Sequence, residues 1–377
     1  MNVPKLRFKE FNDEWTKYKL NDFLDLLTDY DANGSFADMA NNVKTYDTQN
    51  YAWYVRATDL ENNSPLDKVK YTDKESYDFL KKTALYGDEV LMAKRGNIGN
   101  VYYFKSKTKY ATLGPNCYLL KTNNKIDNYF LYSYFKSTNG YKKLNRLNAS
   151  STLGALYKDD VKNINLIFPE KKEQSKISRT LELLDKKIEL QSKKIEDLKL
   201  FKLCINNILF NGNKTIKLKD ICECKSSTIS LSDIEYDDGM YPIYGANGEI
   251  KKINSYQNDK DYLAIIKDGA GVGKTIICNK KSSIIATLSA LIPNGIPVYY
   301  FNELINKIDF SKYIVGSGIP HIYFKDYSNE KLYLHEEKKR VLINNLFKRI
   351  IIKIELEENK LHLLETVKKG LMQNMFV

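Results

Sequence analysis

Two stretches of this chain carry the same apolar rhythm. Over residues 170–211 a seam runs Ile177, Leu181, Leu184, Ile188, Gln191, Ile195, Leu198, Lys202, Ile205 and Leu209. Over 336–377 it runs Ile343, Phe347, Ile350, Ile354, Glu357, Leu361, Leu364, Lys368, Leu371 and Met375. Steps alternate between four and three residues, the heptad spacing that keeps one stripe of a helix facing a partner. Residues 170–210 hold neither Gly nor Pro, and the second stretch has only Gly370 near its end. The pattern predicts two helices of roughly 40 residues, each about 60 Å long. Helices so polar on their other faces are marginal alone, and the economical partner for each seam is the other. The polar interruptions fall at matching places, Gln191 with Glu357 and Lys202 with Lys368. Such groups cost stability and fix register.

The match is part of a longer repeat. Shifted by 166, residues 156–210 fall on 322–376 without a gap and with 15 identities in 55 positions. Upstream the offsets change. Lys19-Leu20 and Asp22 resemble Lys217-Leu218 and Asp220; Asp88–Gly96 resembles Asp261–Gly269; Ala111-Thr112-Leu113 matches Ala286-Thr287-Leu288. The organisation is domain–helix–domain–helix: 1–169, 170–211, 212–335 and 336–377. Strand-like content marks Val90–Lys94, Val101–Lys105, Cys117–Lys121, Tyr262–Lys267, Thr275–Cys278 and Ser283–Leu288. Glycines at 96–99 and 269–273 mark tight turns, and short helices are expected around Glu75–Leu80 and Asn128–Tyr134. The fold class is α+β, with two mixed α/β globular domains and two long helices joined in an intramolecular coiled coil.

Composition narrows the function. The net charge of +12 favours an acidic partner such as nucleic acid. Lys outnumbers Arg 52 to 7, and charge is spread along the chain rather than gathered in a tail. No apolar run of about 18 residues exists, so no membrane span is expected. The opening MNVPKLRFKEFNDEW lacks the apolar core of a secretory signal. Five scattered cysteines, Cys117, Cys204, Cys222, Cys224 and Cys278, give no disulfide framework or zinc spacing. A reduced, cytoplasmic protein is expected.

Catalytic motifs are missing. The run Gly269–Thr275 invites a phosphate-loop reading, but that pattern needs Gly where Asp268 stands, and strand-like Ile276-Ile277-Cys278 follows instead of a helix. A glycine hairpin fits better. His321, His335 and His362 are far apart in sequence, and the last two are expected on helix surfaces. No nucleophile elbow or adenine-methyltransferase motif appears, and no cofactor is implied. Gly316–Ile322 and its counterpart Ser150–Leu156 precede the second part of each repeat. They read either as connectors or as turns offering hydroxyls and amides to DNA.

The chain resembles the specificity subunits of type I restriction–modification systems along nearly all its length. The features are Trp15…Leu20-x-Asp22, Gly-Asp-x-Val-Leu-x-x-x-Arg-Gly at 87–96, Gly-Ser-Gly-Ile-Pro-His-Ile at 316–322, and the paired helix starts Pro169–Gln174 and His335–Arg340. The resemblance implies two target recognition domains, each reading half of a split site in double-stranded DNA. It implies long helices packed antiparallel as a ruler, two methyltransferase subunits, and motor–nuclease restriction subunits. The chain itself would be non-catalytic. Two departures stand out: the first connector lacks Ile-Pro, and Asp268 replaces the basic residue at Arg95. Candidate readers are Arg56, Lys94, Arg95, Asn97, Arg146, Ser150, Ser151 and Thr152 in the first domain. In the second they are Lys251, Lys267, Lys274, Ser317 and His321. Residues 212–335 contain no arginine, so lysine must make any cationic guanine contact there. The rival readings are a coiled-coil scaffold with two protein-binding modules, and a nucleotide hydrolase using the 269–275 loop.

Overall fold

The structure is a computed structural model that describes residues 3–96, 98–149, 155–234 and 239–377. It divides into two compact units, Met1–Leu190 with Leu361–Val377, and Gln191–Lys360.

The first unit is built on an antiparallel sheet of β1 (Leu24–Asp29), β2 (Val90–Ala93), β3 (Val101–Tyr103) and β4 (Cys117–Thr122), in the order β1-β4-β2-β3. The central strand places Leu120 opposite Leu27 on one side and Val90 on the other. Val90 to Ala93 are all buried, which explains why this stretch reads as a continuous apolar run. One face is covered by α1 (Asn128–Lys136) and by α2 (Thr138–Ala149) behind it. A five-stranded sheet adds a second layer, in which Ala52–Val55 runs parallel to Ala111–Leu113. Thr16–Lys19 pairs with Asn165–Phe168 just before the long helix α3 (Lys171–Leu209) begins.

The second unit repeats the plan. Its sheet has β5 (Cys222–Ser226), β6 (Tyr262–Ile266), β7 (Thr275–Cys278) and β8 (Leu288–Pro293), in the order β5-β8-β6-β7. That order matches the first sheet strand for strand. The helix α4 (Val298–Ile305) stands where α1 stood in the first sequence of elements. Ile216–Lys217 pairs with Lys331–Leu332 ahead of α5 (Glu337–Asn374). Small joints repeat too. Leu20 N–H donates to the Ile164 carbonyl at 2.9 Å, and Leu218 N–H to the Glu330 carbonyl at 3.0 Å. The side layer diverges: three strands replace five, with Tyr241–Gly245 parallel to Ser283–Ile284. The expected strand Ser283–Leu288 is thus two strands, because the chain leaves one sheet at Ile284 and joins the other at Leu288.

All twenty seam positions are buried or half-buried. In the second unit Gln191, on α3, donates from Nε2 to Glu357 Oε2 at 2.7 Å and to the Glu357 carbonyl at 2.9 Å. Leu198 and Ile205 join the core that contains Ile343, Phe347 and Ile350. In the first unit Ile177 and Leu181 share a core with Leu371 and Met375, and Asp185 pairs with Lys368. Early residues of α3 therefore meet late residues of α5, and the helices pack antiparallel within each unit. Lys194 and Lys353 also hold Glu357, at 2.7 and 2.8 Å. The hydrogen bond from Gln191, with those two ammonium groups, holds its carboxyl far below the usual range. Each helix ends in a core. Phe210 packs 5.1 Å from the Tyr300 ring, and Phe376 packs 5.4 Å from Phe130. His335, expected on a surface, is 5 % exposed. Its N–H donates to the Tyr300 hydroxyl at 3.0 Å, its Nδ1 meets the same oxygen, and burial lowers its pKa. No helix among the described residues is long and apolar enough to cross a membrane.

Candidate nucleic-acid interface

In each unit the turn after the second sheet strand is framed by the segment that leads to the next repeat. Leu156 N–H donates to the Lys94 carbonyl at 3.1 Å, and Ile322 N–H to the Lys267 carbonyl at 3.0 Å. These two lysines correspond in the repeat, as do Leu156 and Ile322. The sequence brings the same frame about twice.

The frame holds different chemistry in the first unit. Lys94 is 7 % exposed, and its ammonium lies 2.7 Å from both Asp29 and Asp31. Lys158 reaches Asp29 at 2.9 Å. Burial pushes the Asp29 carboxyl up, but hydrogen bonds from Lys94 and Lys158 outweigh it and hold the pKa below normal. Lys94 is thus a fixed part of the sheet, not a side chain offered to a phosphate. Its partners lie more than 60 positions away in sequence, beyond any motif. Arg95, the next residue, is exposed. Arg56 is half-buried, with its guanidinium fork on Asp59 at 3.0 and 2.7 Å. That pair leaves fewer of its donors for a ligand. Arg146 is exposed on α2, and the turn ending at Gly99 lies against Leu144 and Asn145 of the same helix. Arg146 also lines a groove with Lys136, Tyr141, Lys142 and Asn145. Burial, and then the Arg146 charge, lower the pKa of Lys143 beside it. Lys142 and Arg146 lie four apart on one helix face, but only the folding together of α1 and α2 adds Lys136 to them. Asn97, Ser150, Ser151 and Thr152 lie outside the described residues.

In the second unit the Gly269–Lys274 run closes the hairpin between β6 and β7. Gly273 N–H donates to the Ile266 carbonyl and Ile266 N–H to that of Lys274, both at 2.9 Å. Strand follows the glycines where a phosphate loop needs a helix, so the hydrolase reading loses its structural basis. The turn is tied to the Gly316–His321 segment. Gly269 N–H donates to the Pro320 carbonyl at 2.9 Å, and Val315 and His321 exchange both backbone bonds. Gly316 has φ +95°, and an added Cβ would lie 2.5 Å from the Ile319 carbonyl oxygen. The structure therefore brings Lys267, Ser317 and His321 to one framed surface, with Asp268 among them. His321 Nδ1 is 3.5 Å from Asp268 Oδ1, and Lys267 Nζ is 3.9 Å from Oδ2. Lys274 is exposed across the hairpin. Lys251 sits apart on Gly248–Ile253, where its ammonium donates to the Ile234 carbonyl at 3.0 Å.

Comparison with known proteins agrees with this arrangement. A crystal structure of the type I restriction–modification S subunit from M. genitalium superposes with a TM-score of 0.71 at 18 % identity, covering all of this chain and 99 % of the other. A protein of Methanocaldococcus jannaschii named as the type I restriction enzyme MjaX specificity subunit is 27 % identical over 131 residues. That match spans 34 % of this chain and 30 % of the relative. The profile of the type I restriction modification DNA specificity domain matches twice, over residues 12–200 and 211–366. Two matches over nearly the whole length, on a sheet built twice in one strand order, place the chain in the family of type I restriction–modification DNA specificity proteins.

Proposed function

We propose that this chain reads a bipartite site in double-stranded DNA for a type I restriction–modification complex and performs no chemistry itself. The observation that carries the reading is the duplicated sheet with a framed turn whose corresponding residue differs in charge, an exposed Arg95 in one copy and a half-buried Asp268 in the other. Tandem copies in one chain mimic a dimer that reads two half-sites at fixed spacing. Because the copies differ, the half-sites need not be related. The recognition domains are 1–169 and 212–335, and the two long helices serve as spacer. Lysines supply phosphate contacts and a few framed side chains read base edges.

Protein partners follow from the outer faces of the helices. Leu183 and Leu190 of the first unit, and Leu200, Phe201, Leu203 and Ile208 of the second, are exposed. Solvated helices rarely leave so many large apolar groups uncovered. Two methyltransferase subunits, joined by motor–nuclease subunits, are the partners of this reading, with the cytoplasm as its place. The test is retardation of duplex DNA by this chain together with methyltransferase subunits. Sequence-dependent retardation is expected, with no methyl transfer or cleavage by the chain alone. Assembly without any DNA binding would favour a coiled-coil scaffold instead.

A further inference from the structure

We infer that Lys267 and Asp268 act as one unit that reads a single G·C base pair in the half-site of the second domain. This deepens the DNA-reading role proposed above and rests on it. The starting point is a contrast between two equivalent frames. In the first copy the lysine of the frame is taken by a sheet carboxylate, Asp29, which lies opposite Tyr118. In the second copy the residue in that sheet position, opposite Ser289, is Ser226. Lys267 is left with its neighbour Asp268, at 3.9 Å, and the two side chains are 27 % and 35 % exposed. A sequestered ion pair in one unit thus becomes a surface donor–acceptor pair in the other.

A carboxylate facing DNA is costly unless it meets a donor, since it repels every phosphate. In the major groove cytosine presents the N4 amino group, and Asp accepts from it. Guanine presents O6 and N7, two acceptors for a Lys ammonium. Within one G·C pair O6 and N4 are hydrogen-bonded to each other, roughly 2.9 Å apart. An ammonium and a carboxylate 3.9 Å apart can address those adjacent atoms together. An A·T pair fits less well. It also offers an adjacent amino group and acceptor, adenine N6 and thymine O4. There, however, the second acceptor, N7, flanks the carboxylate and the thymine methyl flanks the ammonium, whereas in G·C the ammonium meets both O6 and N7. The carboxylate is also aimed: His321 stands 3.5 Å from Oδ1, which leaves Oδ2 toward Lys267. Backbone bonds from Gly269 to Pro320 and from Ile322 to Lys267 fix the turn that bears the pair.

The test uses the chain assembled with its methyltransferase subunits and a duplex library randomised across both half-sites, read by methylation and by binding. Wild type should demand G·C at one position by about 10–100-fold, the equivalent of 1–3 kcal/mol. Asp268→Asn, whose amide can donate as well as accept, should relax that position to under about threefold and leave the others unchanged. Lys267→Ala should relax the same position, and the double variant should be no worse than either single one. Asp268→Arg, which copies Arg95 of the first domain, should alter base preference at that position alone. Thermal unfolding equal to wild type guards against misfolding. Sequence-specific binding with an unchanged profile in Asp268→Asn and Asp268→Arg overturns the inference and leaves the DNA-reading role standing. A wild-type complex that shows no sequence preference removes both.

Discussion

Phe376→Ala should destabilise the first unit, although the residue lies beyond the second. Its ring is 4 % exposed and belongs to the core of Trp15, Phe130, Tyr134 and Phe168. It lies 5.4 Å from Phe130 and 6.0 Å from Tyr134 between ring centroids. Truncating a buried Phe costs about 3–5 kcal/mol through lost transfer energy and the cavity left behind. Divided by a urea slope of roughly 2–3 kcal/mol/M, that moves the unfolding midpoint down by ~1–2.5 M. The assay is selective, because Trp15 and Trp53, the two tryptophans of the chain, both lie in the first unit. Tryptophan fluorescence therefore follows that unit, while hydrogen exchange in Tyr262–Ile266 follows the other. Phe210→Ala is the mirror experiment: its ring packs on Tyr300, in the second unit. It should loosen exchange there and leave the tryptophan transition near wild type. If Phe376→Ala shifts that transition by less than about 0.3 M, the terminal ring is not the anchor its packing implies.

Four further outcomes can be checked. Asp29→Asn should lower stability near neutral pH, and its deficit relative to wild type should fade in urea titrations as pH falls below about 4. A carboxyl with a depressed folded pKa stabilises above its unfolded value of about 3.9 and loses that contribution as it protonates. Arg95→Ala or Arg146→Ala should cost on the order of 1–3 kcal/mol at one half-site in methylation assays on randomised DNA; unaltered affinity and base preference would remove both as readers. Leu184→Asp, at a half-buried seam position, should impair assembly and DNA binding with the recognition domains still folded, as exchange mapping would show. One heptad inserted at matched positions of both helices adds about 10 Å of rise to each. It should lengthen the preferred gap between half-sites or abolish binding, and an unchanged preference for the original gap would contradict the spacer role.

The long helices were the most legible part of the chain, because two heptad seams of equal length with polar breaks at matching places fit mutual packing better than two helices on separate cores. The glycine hairpin at 269–273 was legible too, since strand residues flank it. What stayed hidden was pairing across distance. Lys94 looked like a basic surface residue beside Arg95, and its carboxylates, on β1 and just after it, carry no local mark. His335 looked like the solvent face of a helix start, yet Tyr300 draws it inside. Ser283–Leu288 has strand composition throughout, but propensity does not say that a chain changes sheets in the middle. Among the candidate readers, the sequence named Lys267, Ser317 and His321 without showing that they share a surface. It did not reveal that backbone bonds bind them into one.

The Gln191–Glu357 contact joins a residue to its own counterpart in the repeat. A protein assembled from two identical halves would place like against like at this point, either two amides or two carboxylates. Two buried glutamates would repel, and a free second half would resist pairing with itself. Only copies that have been allowed to diverge can hold an amide donor against a carboxylate braced by Lys194 and Lys353. The polar knot is therefore a mating rule as much as a register mark: it lets the two halves of one molecule recognise each other as different, and penalises the second half for choosing its twin.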